Sequence, residues 1–407
     1  MGISFLPSMN IAIYTLTSEL HDEQAVDRAT REFLSHLNVD FDFKGADYTD
    51  YGSQTLSLIY VRTGGTEGIF KRLLPELLSK SAQPFYLLTS GKSNSLAASM
   101  EILSFLRQQG IRGEIIHGSN EYIAARILLL EKVGKAKRLL KDCRLGIVGK
   151  PSDWLISSEA DKQRVKEVFG IDLIDIPMQE LLDVMNTIPQ AACSEEAPTE
   201  ALRKAFPGAN QIYEALKVIV ERHRLQGFTI RCFDLLTAVH NTGCWALARL
   251  NAEGIVAGCE GDVPAMLSMK IAQALTGVCG FQANPASINP ETGEMLFAHC
   301  TIPLNLVERY EFDTHFESGI GVAIRGFMKE GDVTIFKVSG DLSRHFAEEG
   351  QLIRNQSEPD LCRTQQVIQL NNPARTTYFL THPIGNHHII LPGHHQHLLD
   401  EMLGSAN

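Results

Sequence analysis

No apolar run in this chain reaches the roughly 18–20 residues that a helix needs to cross a bilayer, so no membrane partner is expected. Basic residues are in deficit as well. The net charge of −11 over 407 residues excludes a general nucleic-acid binder, which would need a basic face. No CxxC pair occurs, and the 8 cysteines are scattered. In a chain of this length that is reduced-thiol usage, which points to the cytoplasm. The opening stretch MGISFLPSMNIAIYTL has no basic leader before its apolar part and does not read as a signal peptide. Met9, directly before the first strand signal, reads as nearer the natural start. Internal repeats and low-complexity tracts are missing. What remains has an ordinary globular composition, 44% hydrophobic and 21% charged. At about 100–200 residues per domain the length predicts two or three domains. The balance fits a soluble protein that handles a neutral small molecule, with or without a cation.

Strand and helix signals alternate through the first part. Short apolar runs at Asn10–Leu16, Leu56–Arg62, Phe85–Thr89 and Glu114–His117 read as strands. Helical patterns run from His21 to Leu37, Asn94 to Gln108 and Tyr122 to Cys143. A second cycle has strands at Arg144–Lys150, Asp172–Ile176, Phe228–Cys232 and Ile255–Cys259, with helices at Asp161–Phe169, Asp234–Asn251 and Val263–Thr276. Thr187–Thr199, rich in Ala, Pro, Ser and Glu, reads as a surface loop. Such alternation implies parallel pairing. After about Pro303 the texture changes to short alternating runs such as Gly321–Phe327 and Val333–Ser339. The expected fold is α/β: two doubly wound parallel-sheet domains, 1–143 and 144–302, followed by a smaller antiparallel, barrel-like domain, 303–407.

Three segments carry candidate chemistry. Ala257-Gly258-Cys259-Glu260-Gly261-Asp262 places two carboxylates beside glycines at a strand-to-helix turn, the usual ligand crevice of an α/β sheet. Phe297-Ala298-His299-Cys300 is the second, and Pro383-Ile384-Gly385-Asn386-His387-His388 the third. Six of the 14 histidines fall between His382 and His397. A carboxylate with imidazoles suits a divalent ion such as Mn²⁺ with positions left for substrate oxygens. Such an ion polarises a carbonyl and orients vicinal hydroxyls, while a nearby carboxylate moves a proton between adjacent carbons. That is equipment for aldose–ketose isomerisation through an enediol. The blander readings are a capped helix start at Asp262, a hydrogen-bonded core histidine at His299, and an exposed histidine loop.

The order of these segments resembles the L-fucose/L-arabinose isomerase-like family. Glu260-Gly261-Asp262 through Leu275-Thr276-Gly277 is similar to the helix-leading motif that carries the family's first metal glutamate. Phe297-Ala298-His299 resembles the histidine that follows in the arabinose branch, and Gly385-Asn386-His387-His388 the motif holding the last metal histidine. Gly64-Gly65-Thr66-Glu67 and Ser93-Asn94-Ser95-Leu96 are similar to the family's first domain. The resemblance implies a metal-dependent isomerase of a pentose, hexose or deoxyhexose, with Mn²⁺ on Glu260, His299 and His387. It also implies a homo-oligomer, trimeric or hexameric. The ligand is placed at His387, with His388 as the alternative ligand or a substrate contact. The chain departs from the family at one point. The family's second acidic ligand is matched here by Asn284, or by Ala283 in an arabinose-type alignment. An amide can ligate a cation through its oxygen but cannot accept and return a proton near neutral pH. Catalytic roles therefore fall on Glu260, on Asn284 as a neutral ligand or substrate contact, and on Asp262 as the replacement carboxylate. The competing expectations are a non-catalytic sugar-binding or regulatory homologue, and a lyase or epimerase acting on a modified sugar.

Other residues weigh less. Ser90-Gly91-Lys92-Ser93 looks like the end of a phosphate loop, but Tyr86 stands where its first glycine belongs. Asn94, at the start of the following helix, is a candidate sugar contact. Trp154 is another, by stacking, against a packing role at a domain junction. Asp234 reads as a helix cap or a crevice residue. Cys259 and Cys300 read as small buried residues rather than soft ligands. His394, His395 and His397 read as a solvated face, and Lys337 and Arg344 as charges able to meet an anionic substrate.

Overall fold

A computed structural model describes residues 10–81, 84–190 and 197–404. Met9, the reading of the opening stretch, and residues 191–196 of the expected Thr187–Thr199 loop lie outside the described residues. The chain forms two compact units, Met1–Arg138 and Leu139–Asn407.

The first unit is a doubly wound sheet. Its strands are β1 (Ile11–Leu16), β2 (Asp42–Gly45), β3 (Leu56–Val61), β4 (Phe85–Leu88) and β5 (Gly113–Ile116). They pair in the order β2-β1-β3-β4-β5, all parallel. β1 is buried along its whole length, as a central parallel strand must be when helices cover both faces. β2 is short and half-exposed, so no apolar run announces it in the sequence. The helix Glu67–Lys80 also escapes the sequence pattern, since Pro75 interrupts its interior.

The second unit holds a smaller parallel sheet of β6 (Arg144–Val148), β7 (Asp172–Ile176), β8 (Gly227–Ile230) and β9 (Val256–Gly258), in the order β7-β6-β8-β9. Its core joins Val148, Phe228 and Ala257 to Leu216 and Ile219 of the 24-residue helix Glu200–His223. The expected helix Asp234–Asn251 is two helices, Asp234–Ala238 and Cys244–Ala252. His240 between them has φ +53°, and the Asn241 side chain turns back to the Ala205 carbonyl and the Thr242 N–H. This break delivers Thr242 and Gly243 to the wall of a pocket.

The chain then enters an antiparallel barrel. β10 (Phe281–Ile288) and β11 (Glu294–His299) begin it, and β12 (Arg309–Asp313) with β13 (Ala323–Phe327) form a separate hairpin. β14 (Gly331–Val338), β15 (His345–Gln356), β16 (Thr364–Leu370) and β17 (His388–Pro392) complete it, in the closed order β10-β11-β16-β15-β14-β17. Closure removes the sheet edges. Phe281, Phe297, Ile335, Phe346, Ile368 and Ile390 belong to the core that holds it. The barrel thus begins at Phe281, within the sequence segment that precedes Pro303. The fold class is that expected: parallel α/β sheets followed by a barrel.

Candidate metal centre and its pocket

In the second sheet the strand order turns in opposite directions from β6 and β8, the switch point where α/β sheets open a crevice at their carboxyl ends. Glu260 follows β9 by one residue beyond Cys259, at that end. It has φ +63° and Gly261 has φ +73°. Two successive left-handed residues reverse the chain so that Gly261 N–H donates to the Ile230 carbonyl and Ser152 N–H to the Glu260 carbonyl. Only glycine fits the second position, where an added Cβ would run into the Lys150 carbonyl and lie 2.8 Å from Pro151 Cα. A non-glycine residue held at positive φ is strain of the kind concentrated at functional sites.

Asp262 caps the helix Val263–Thr276 by accepting from Ala265 N–H at 2.7 Å. The capping reading is therefore observed, but the carboxylate has more partners. It lies 2.9 Å from His387 Nδ1 and 3.3 Å from Lys337 Nζ, with no exposure at all. Burial works to raise its pKa, and Lys337 and His387 outweigh it, holding the group at about 2.

His387 precedes β17, and successive residues of an extended strand point to opposite sides. His388 turns away from Glu260: its Nε2 lies 2.9 Å from the Tyr378 hydroxyl, among Phe346 and Phe379. His387 turns toward Asp262 and Glu260. Its Nε2 is 3.5 Å from Glu260 Oε1, buried, and without a hydrogen-bond partner. His299, at the end of β11, brings its Nε2 to 3.6 Å from the same Glu260 Oε1, while its Nδ1 lies 3.0 Å from Thr301 Oγ1. The other Glu260 oxygen accepts from Trp154 Nε1–H at 2.8 Å.

Among the described residues, Glu260, His299 and His387 therefore form a group whose potential ligand atoms lie within 4.8 Å of one another, all three buried. A carboxylate oxygen and two imidazole nitrogens are a ligand set for a divalent cation. The orphaned Nε2 of His387 is what such a cation would satisfy, because buried polar atoms without partners are costly and rare. Electrostatics agree. Burial works to raise the Glu260 carboxyl, but the His387 and His299 imidazoles hold it far below the usual carboxylate range. For His387 burial works downward, and Glu260 and Asp262 carry it up to about 9. Burial lowers His299.

The pocket beside this group is lined by Glu260, His299, Asn284, Thr242, His315 and Glu317, with Phe233 and five cysteines. Asn284 faces it, its side-chain oxygen accepting from Asn386 Nδ2–H at 2.9 Å. Ala283 is instead buried in the barrel core. Trp154 serves Glu260 by hydrogen bond and packs edge-on against Phe233 at 4.7 Å. Asp234 pairs with Arg231 at 2.9 Å. Cys259 and Cys300 are buried, and none of the seven described cysteines is in a disulfide. Lys337 is committed to Asp262 rather than to a substrate. His394 is half-exposed and pairs with Asp332 and Glu349. Asn94 belongs to the first unit, left-handed at φ +60° before the helix Ser95–Gln108.

Two pocket residues escape sequence reasoning altogether. His315 and Glu317 sit in the turn between β12 and β13, in a stretch without periodicity or motif. Their only signal is a histidine and a glutamate ahead of two glycines.

No family model matches the chain. Curated relatives do. It is 23% identical over 309 residues to the sulfoquinovose isomerase of Priestia aryabhattai, covering 71% of this chain and 69% of that one. It is 22% identical over 264 residues to the sulfoquinovose isomerase of Alkalicoccus urumqiensis, covering 60% and 59%. It is 25% identical over 220 residues to that of Clostridium sp. (strain MSTE9), covering 51% and 49%. These relatives are sugar isomerases named for a different sugar from the fucose and arabinose of the family resemblance.

Proposed function

We propose that the chain is a metal-dependent aldose–ketose isomerase whose centre is Glu260, His299 and His387, with Mn²⁺ as the ion. The observation that carries this is the orphaned, buried Nε2 of His387 aimed with His299 Nε2 at one oxygen of Glu260. The names of the relatives support the isomerase reading. A divalent ion bound there would polarise the sugar carbonyl and favour the enediol. The chain's own residues supply the rest. Asp262 fixes His387 through Nδ1 and so presents Nε2 to the centre, the arrangement in which a second carboxylate orients a ligand imidazole. Trp154 fixes one Glu260 oxygen and leaves the other for the centre. Asn284 offers an amide to the sugar from the pocket wall.

The substrate is an aldose of the pentose, hexose or deoxyhexose class. We place the enzyme in the cytoplasm as a trimer or hexamer, on its reduced cysteines and the family resemblance. No helix among the described residues is long and apolar enough to cross a membrane.

The test is hydron exchange. Protein loaded with Mn²⁺ in D₂O, offered a panel of pentoses, hexoses, deoxyhexoses and sulfoquinovose, should place deuterium at C2 of one aldose and form its ketose. Glu260→Gln should lower that exchange at least a thousandfold, an order set by what a metal ion contributes to polarising the carbonyl. A wild-type protein that binds the ion and a sugar without exchanging hydrons would support non-catalytic sugar binding instead.

A further inference from the structure

Enediol isomerisation needs a group that takes a proton from C2 and returns it to C1. The carboxylates already described are committed elsewhere. Glu260 gives one oxygen to the centre and the other to Trp154. Asp262 is fully buried behind His387 and gives its oxygens to His387, Lys337 and Ala265 N–H. Asn284 stands where a carboxylate would be expected and cannot carry a proton. Of the described residues that line the pocket, one carboxylate is left, Glu317.

We propose that Glu317 is the catalytic acid/base of this site, doing the work that Asn284 cannot. The inference rests on the isomerase reading above and deepens it. The carboxylate takes the proton from C2 of the aldose. The electron pair of that C–H bond becomes the C1–C2 double bond, and the carbonyl oxygen at C1 gains a proton. The protonated Glu317 then returns its proton to C1 as the O2 hydroxyl loses its own and becomes the ketone. One hydrogen has moved from C2 to C1 and one from O2 to O1, with no external oxidant or reductant.

Hydrogen bonds around Glu317 fix the backbone of the turn that carries it. His315 N–H donates to the Ile320 carbonyl and Gly319 N–H to the His315 carbonyl. His315 Nδ1 lies 3.0 Å from Ser318 Oγ, and Arg363 Nε–H reaches the Thr314 carbonyl at 2.8 Å. Gly321, at φ +70°, packs so closely on Thr242 that an added Cβ would collide with its side chain, which pins the turn to another pocket residue. Glu317 itself is exposed, which gives it a route to solvent protons. Burial and then His299 push the neighbouring His315 down to about 4, so it is a weak base that stays neutral near neutral pH.

The experiment compares wild type, Glu317→Gln and Glu317→Asp in three readings: Mn²⁺ stoichiometry, sugar binding by calorimetry, and C2 hydron exchange in D₂O. Glu317→Gln should keep one ion per chain and its sugar affinity within about threefold, and lose 10²–10⁴-fold in exchange. Glu317→Asp should recover part of that loss. Exchange by Glu317→Gln within threefold of wild type overturns the assignment and leaves the isomerase reading intact. Loss of the ion in Glu317→Gln also overturns it, because the residue would then be a support of the centre. No exchange by wild type on any sugar removes the isomerase reading and the role of Glu317 with it.

Discussion

Asp262 shows how one side chain is stretched over three tasks: it caps a helix, neutralises a buried lysine and orients His387. Asp262→Asn keeps the shape and the cap but leaves the Lys337 ammonium buried and without its counter-charge. The expected result is a loss of about 3–5 kcal/mol in denaturant unfolding of the metal-free protein, together with a 10–100-fold fall in metal affinity. Adding Lys337→Met should restore most of the stability and none of the affinity. If affinity returned as well, Asp262 would be acting through the lysine and not through His387. The Asp262–Lys337 pair is invisible in the sequence, because its partners are 75 residues apart. Glu260 is legible, since a carboxylate beside glycine at the end of a strand names its own setting. The choice of His387 over His388 needs the alternation of the strand and its register. Glu317 could not be found at all, since nothing in its turn is periodic.

At the scale of elements, the site is made by the ends of strands and the breaks between helices. The left-handed Glu260–Gly261 turn at the end of β9 is the sharpest of these. Holding a residue with a Cβ at that φ costs about 1–2 kcal/mol. Glu260→Gly and Glu260→Ala remove the same charge and the same ligand, so their difference isolates the backbone. Glu260→Gly should be the more stable in metal-free unfolding by about 1 kcal/mol, and equal stability would mean the turn is relaxed. The strands of both parallel sheets were legible because buried parallel strands are near-continuous apolar runs. Half-exposed β2 and the helices with a proline in their interior, Glu67–Lys80 and Glu200–His223, were not. The split of the expected helix at His240 has no sequence signal, because it rests on the Asn241 side chain reaching the Ala205 carbonyl 36 residues away, while Thr242 lines the pocket.

At the scale of the molecule, each unit rests on its own core, and the candidate centre lies wholly within Leu139–Asn407. It joins the carboxyl end of β9 to two barrel segments, β11 and the approach to β17, so parallel sheet and barrel meet at three side chains. The boundary expected at Pro303 places β9 and β11 in one domain and the approach to β17 in the next, because it follows texture along the chain. The measurement that bears most directly on this centre is a Mn²⁺ titration of metal-stripped protein, followed by electron paramagnetic resonance of the free ion. The centre predicts one tight site per 45.1 kDa chain in wild type, weakened at least a hundredfold in Glu260→Gln and in His387→Ala, with Asn284→Ala close to wild type. Absence of a site in wild type, or a site that survives both ligand substitutions, would contradict it.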